Sequence, residues 1–223
     1  MTFGGFVILK GKDAIEEELL TYLKREFCWF IELNKERNFQ LLINGKLLDY
    51  SLLVGDRDQF EVKHGQTEEI FDIRYIRWTT QLNKEYSHFY YLNQKKIGQW
   101  KETTKLNNQG DDFFHSVFIT SSYFNHFNFH SRETSPQKVI SGGVRSDETF
   151  KFLMENVDSF LRKKRKPFLK KHSGKVLSEF KADGIIVVNE KDPLQVIEVR
   201  ELESVFKELY ELDQEKLSVV KKI

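Results

Sequence analysis

Residues Phe39-Gln-Leu-Leu-Ile-Asn-Gly-Lys-Leu-Leu-Asp-Tyr50 carry the pattern from which the fold is read. Two apolar runs flank Asn44-Gly45, and both residues of that pair tolerate the positive φ that a tight β-hairpin turn requires. Upstream, Ile15, Leu19, Leu20, Leu23, Phe27, Phe30 and Ile31 recur at helical spacing. A helix is therefore predicted over about 13–32, opened by the capping pair Asp13 and Glu16. Before it, Phe6-Val-Ile-Leu9 reads as a short strand behind Gly4-Gly5. The chain thus reads as opening on the last strand of a preceding element, with the residues that define an activity expected upstream of Met1.

Strands are expected downstream near 59–63, 70–78, 87–92 and 113–120. In Phe71-Asp-Ile-Arg-Tyr-Ile-Arg-Trp78 the two-residue period puts Ile73, Tyr75 and Arg77 on one face. Thr103 to Asp112 reads as a polar loop. After Phe129 the composition shifts: residues 131–146 hold Ser, Pro136 and Gly142-Gly143 and read as a linker or ordered loop. Ser146 or Asp147 then caps a helix whose stripe is Phe150, Leu153, Met154, Val157, Phe160 and Leu161. Pro167 is expected to break or kink it, because proline lacks the amide donor and clashes with the preceding turn. A further helix over 167–182 ends at Asp183-Gly184, Ile185 to Val188 suits a short strand, and a last helix starts at Pro193 or Leu194.

The fold class expected is α+β: a mixed or antiparallel sheet with packed helices over 1–130, the 131–146 loop, and a helical region over 147–223. The chain has 223 residues, 39% hydrophobic and 31% charged, enough to bury a sizeable core. Aromatic residues make up 14%, with 20 Phe, and half-buried strands favour them. No apolar run approaches the roughly 18 residues of a membrane span, and no secretory leader pattern is present. The single cysteine, Cys28, excludes an internal disulfide and fits a reducing cytoplasm. A net charge of +1 calls for no polyanionic partner globally, so any basic surface must be local.

One such surface is legible. Arg162-Lys-Lys-Arg-Lys166, followed by Lys170 and Lys171, could track a phosphate backbone through counterion release, although a solvated helix face is the commoner reason for such a run and no aromatic stacking residues interleave it. His126 and His130 stand four residues apart with His115, Asp111 and Asp112 upstream, but that spacing without further support identifies no metal site. Asp183 with Glu198-Val-Arg200 has the outline of a Mg²⁺-dependent nuclease, in which two carboxylates hold the metal and a cation steadies the phosphate; here Arg stands where lysine is usual. Leu106-Asn-Asn-Gln-Gly-Asp-Asp112 consists mostly of turn formers. Neither a phosphate-binding GxxxxGK[ST] loop nor a nucleophile elbow occurs.

The order of elements resembles a junction in the gyrase/heat-shock-90/MutL-type (GHKL) ATPases. The carriers of the resemblance are Gly4-Gly-Phe-Val-Ile-Leu9, a long helix ending in Phe27-Cys-Trp-Phe-Ile-Glu-Leu-Asn34, and Phe39 to Asp49. Tyr75-Ile-Arg-Trp78, Leu106 to Asp111, His115-Ser-Val-Phe-Ile119 and Arg162 to Leu169 are similar to stretches of bacterial ATP-binding proteins of that superfamily. The ATP-site signatures are absent: no helix with Glu-x-x-x-Asn, no Asp-x-Gly-x-Gly and no glycine-rich lid. The resemblance therefore implies the transducer and C-terminal region without the nucleotide pocket, relaying an ATP-driven change to a protein partner or nucleic acid. ATP and Mg²⁺ are implied for the complete protein and neither for this chain alone. The implied partner is an ATP-binding domain in the same or another chain, a homodimer is a further arrangement, and no membrane is involved. A transducer cation reaches the γ-phosphate in such proteins, and Lys84, Lys95 and Lys105 are the loop cations to test for that role.

Overall fold

The computed structural model describes residues 12–83, 87–106, 111–129, 143–184 and 191–211. The fold is α+β. Helix α1 (Lys12–Leu33) is followed by a two-stranded hairpin, β1 (Leu42–Ile43) and β2 (Lys46–Leu47). Strands β3 (Val54–Lys63), β4 (Ile70–Trp78), β5 (His88–Leu92), β6 (Gly98–Thr103) and β7 (His115–Thr120) build the main sheet. Helices α2 (Glu148–Ala182) and α3 (Pro193–Glu211) complete the described chain. The residues divide into two compact units, Met1–Asn107 with Phe114–Phe150, and Asn108–Phe113 with Lys151–Ile223.

In the first unit, Asn44 and Gly45 adopt φ of 51° and 73°, the turn that their side chains allow. The five-stranded sheet has the order β3-β4-β7-β5-β6. All its pairs are antiparallel except β5 with β7. That exception arises because β6 folds back along the outer side of β5, and β7 then enters between β4 and β5. Strand β6 was not expected from the sequence: Gly98-Gln-Trp-Lys-Glu-Thr103 has few branched residues and lies at a sheet edge. Gly55 sits at the bulge in β3, where an added Cβ would collide with the Arg77 guanidinium, so the glycine makes room for that side chain.

Both faces of this sheet are covered. On one, Cys28 of α1 joins Ile76, Trp78, Leu82, Tyr90, Leu92 and Phe118, with Trp29 and Leu33 packed against them. The Trp78 indole donates to Ser116 Oγ at 2.9 Å, which satisfies a polar group in this core. On the other, Ile73, Tyr75, Val117 and Ile119 are fully buried. Phe124, Phe127, Phe129 and Phe150 form a ring cluster with Tyr91, at centroid separations from 4.5 Å for Phe127–Phe129 to 6.1 Å for Tyr91–Phe150. This cluster, built largely by residues 124–129, takes up four of the 20 phenylalanines. Arg145 holds it at its margin, with both terminal nitrogens on the Glu102 carboxylate at 3.1 and 2.5 Å and Nε on the Phe129 carbonyl at 3.0 Å. Asp147 precedes α2, and its carboxylate accepts from the Val144 amide and the Tyr123 hydroxyl.

Of the expectation that Pro167 breaks or kinks the long helix, the break is corrected: α2 runs unbroken from Glu148 to Ala182 with Pro167 inside it. Beyond Phe150, its buried side chains among the described residues fall at a strict four-residue interval: Leu153, Val157, Leu161, Arg165, Leu169 and Ser173. That stripe continues across the proline, so burial on both sides outweighs the roughly 3 kcal/mol that an interior proline costs. The helix ends at Gly184, whose φ of 69° is the left-handed conformation of a helix stop. In α3 the Asp192 carboxylate accepts from the Leu194 amide at 3.0 Å and caps the first turn. The expected strands at Phe6–Leu9 and Ile185–Val188, and most of the 131–146 loop, lie outside the described residues.

Replacing Pro167 by Ala restores a backbone donor on an exposed position of α2. We expect a gain of about 1–3 kcal/mol in stability, read as a higher urea midpoint with increased helical circular dichroism. Burial pushes the Cys28 thiol from 9.0 up to about 12. A disulfide reagent at pH 8 should therefore label Cys28 only after unfolding. Because the folded-state value is the higher one, the thiol's contribution to stability is complete below pH 9 and lost as the pH rises toward 12.

Candidate functional site

A concave feature of the first unit lies where α1 ends over the sheet. Strand period places Asp72, Arg74, Ile76 and Trp78 on one face of β4. Ile76 and Trp78 lie beneath the helix, whereas Asp72 and Arg74 lie beyond its last turn and line an open cleft of about 550 Å³. Arg57, Gln59, Lys96 and Thr120 contribute further lining. The face is apolar under the helix and polar where the helix stops.

Glu32 is the centre of this arrangement. Its side chain is 1% exposed and accepts from Arg57 Nη2 at 2.5 Å and the Tyr50 hydroxyl at 3.1 Å. Arg74 Nη2 donates to the Glu32 carbonyl at 2.6 Å, filling one of the acceptors that a helix end leaves open and setting positive charge at the negative end of its dipole. The Arg74 guanidinium also lies 4.8 Å from the centroid of the Phe118 ring. Asn34 Nδ2 caps the Phe30 carbonyl at 2.9 Å. Gln59 Nε2 donates to Asp72 at 3.0 Å, and Lys96 is paired with Glu36. Burial raises the Tyr50 hydroxyl's pKa, and the neighbouring Glu32 charge adds to the effect, so this hydroxyl stays protonated and donates. Arg57 differs from its partner in being 47% exposed, and it lines the cleft.

The cations singled out from the sequence fall elsewhere. Lys84 lies outside the described residues. Lys95 is an exposed residue of the β5–β6 turn whose carbonyl accepts from Arg37 at 3.4 Å, and Lys105 is exposed just beyond the other end of β6. Lys95 and Lys105 therefore do not converge on one site. Arg57 and Arg74 were missed because each sits inside a strand, where an alternating charge reads as a solvated face. The available signal was the mixed polar and apolar character of Asp72, Arg74, Ile76 and Trp78.

In the second unit, helical geometry sorts the basic run. Arg165 is buried and donates from Nε to the buried Asp111 at 2.5 Å, so it serves the fold. Lys164 lies 5.5 Å from the centroid of the Phe160 ring. Arg162, Lys163, Lys166, Lys170 and Lys171 are exposed. Asp183 stands in the turn after α2, whereas Glu198 and Arg200 are exposed on α3. On a helix, positions two apart point about 200° away from each other, so Glu198 and Arg200 do not share a face as they would on a strand. His115 is buried against Tyr75, His126 is exposed, and His130 lies outside the described residues. Among the described residues no group of three or more His, Cys, Asp or Glu side chains is placed to hold a metal ion. Among the same residues no helix is long and apolar enough to cross a membrane.

Glu32→Ala would leave the Tyr50 hydroxyl and the Arg57 guanidinium without their shared acceptor. We expect a loss of about 1–3 kcal/mol, discounted for the exposure of Arg57, and a urea midpoint that Glu32→Gln restores in part. No protein-family model matches the sequence, and neither a curated protein nor a solved structure is significantly similar to it.

Proposed function

We propose that the chain is the non-catalytic coupling portion of an ATP-dependent protein of the GHKL type. In this reading it relays the ATP-driven closure of a neighbouring domain to a partner or a nucleic acid. The observation that carries the proposal is the fastening of α1: its last turn is tied to β3 and β4 through Glu32, Arg57 and Arg74, while its earlier turns leave Leu19, Leu20, Tyr22 and Phe27 exposed. A helix held at one end to a stiff sheet transmits a displacement applied at its other end. The exposed apolar residues offer contact surface for the domain that applies it.

Arg57 is the cation best suited to sense nucleotide, in place of the loop lysines. It is half exposed and already holds a carboxylate, so an incoming phosphate competes with Glu32 for the same guanidinium. Two alternative partners for one cation make a two-state element, and a ligand shifts it only by its differential affinity for the two arrangements. ATP and Mg²⁺ belong to the neighbouring domain in this reading, and the setting is the cytoplasm.

The test begins with the protein recovered from its source cell. We expect a nucleotide-binding polypeptide, continuous with this chain or bound to it, and slowed amide exchange in the last turns of α1 when ATP and Mg²⁺ are added. The isolated chain should show no affinity for ATP. Micromolar ATP binding by the isolated chain, or an α1 whose exchange ignores nucleotide in the recovered assembly, would overturn the proposal.

A further inference from the structure

The basic run of α2 has a consequence that is independent of any coupling role. Between Ser159 and Ser178 the sequence holds no Asp or Glu, although the chain as a whole is nearly neutral. The helix sorts the cations of this stretch by angle. Arg165 is turned inward to Asp111 and Lys164 lies over Phe160. At about 100° per residue, Arg162, Lys163, Lys166 and Lys170 all fall within an exposed arc roughly 100° wide. Arg162, Lys166 and Lys170 follow one another at intervals of about 6 Å along the axis. The burial of Leu161, Arg165, Leu169 and Ser173 fixes which way this arc faces.

We propose that this arc is a binding surface for the phosphate backbone of duplex DNA, engaged without reading sequence. Several features of the helix select that ligand. Single-strand binding tracts pair cations with aromatic platforms for stacked bases. Here the nearby rings are committed: Phe160 lies beneath Lys164, and Phe168 packs on Phe113 with centroids 5.3 Å apart. An interfacial membrane helix needs an apolar face beside its cations, and no large apolar side chain is exposed between Arg162 and Lys171. The stretch also lacks Asn and Gln, the side chains suited to pairing with adenine edges. What remains is a row of exposed cations on an α-helix, which the B-form major groove is wide enough to admit.

The experiment is fluorescence anisotropy of a labelled 30-base-pair duplex titrated with the whole 223-residue chain. Four neutralised phosphates predict a slope of log K against log salt of about −3.6, hence roughly a hundredfold loss of affinity between 50 and 200 mM salt. The triple variant Lys163→Gln/Lys166→Gln/Lys170→Gln should weaken binding at 50 mM salt at least tenfold. The triple variant Lys46→Gln/Lys63→Gln/Lys151→Gln, which removes the same charge elsewhere, should weaken it less than threefold. Glutamine is a good helix former, and an unchanged circular dichroism melt shows that each variant folds. Absence of binding at 50 mM salt, equal losses in the two variants, or tighter capture by single-stranded DNA or by phosphatidylserine vesicles would each overturn the proposal. None of these results bears on ATP coupling, so the two proposals fail separately.

Discussion

The burial of Glu32 is the constraint on which the first unit turns. A carboxylate withdrawn from water costs several kcal/mol unless its acceptor sites are filled by well-placed donors. The donors come from parts of the chain far apart in sequence: Tyr50 from the segment after the hairpin and Arg57 from β3. Satisfying one side chain therefore fixes the lateral position of β3 relative to the end of α1. Arg74 of β4 then fixes the axial position through the Glu32 carbonyl. The helix cannot slide along the sheet without exposing Cys28 and Trp29 on one side and stranding Glu32 on the other.

This fastening also explains why a polar cleft adjoins an apolar core on a single sheet face. Strand geometry repeats every two residues, so β4 presents Asp72, Arg74, Ile76 and Trp78 in one row, and the helix covers only part of that row. Where α1 stops, the row must meet water, and polar residues occupy it. The cleft is thus a by-product of a helix that ends partway along the β4 row, furnished with side chains that also engage the helix end. A site of this origin has its cations already engaged, and a ligand acts there by exchange of partners rather than by filling an empty position.

The second unit handles charge by a different rule. In α2 the four-residue interval of the buried stripe separates the cations of a dense run, with Lys164 between the extremes over the Phe160 ring. Arg165 falls on the stripe and pairs with Asp111, because a guanidinium enters an interior only with a partner of opposite charge. Arg162, Lys163, Lys166 and Lys170 fall off the stripe and are exposed. The same stripe carries the helix through Pro167, since side chains on both sides of the proline gain from burial only if the axis continues.

Local sequence determined α1, the Asn44-Gly45 turn, the α+β class, the stop of α2 at Gly184 and the start of α3 at Pro193, because caps, turn residues and hydrophobic periods act over a few residues. Strand β4 was legible for the same reason, down to the shared face of Ile73, Tyr75 and Arg77. Edge strand β6 was not, since its order comes from pairing with β5 rather than from its own residues. The continuity of α2 was hidden because a local rule forbids proline, and only burial along the whole stripe overrules it. The candidate cleft was hidden as well. Glu32, Arg57 and Arg74 are unremarkable charges in their own neighbourhoods, and they become a site only when the sheet brings β3 and β4 under the end of α1. Likewise the basic run was visible as composition, but which of its cations face water is decided by the side of α2 that folding buries.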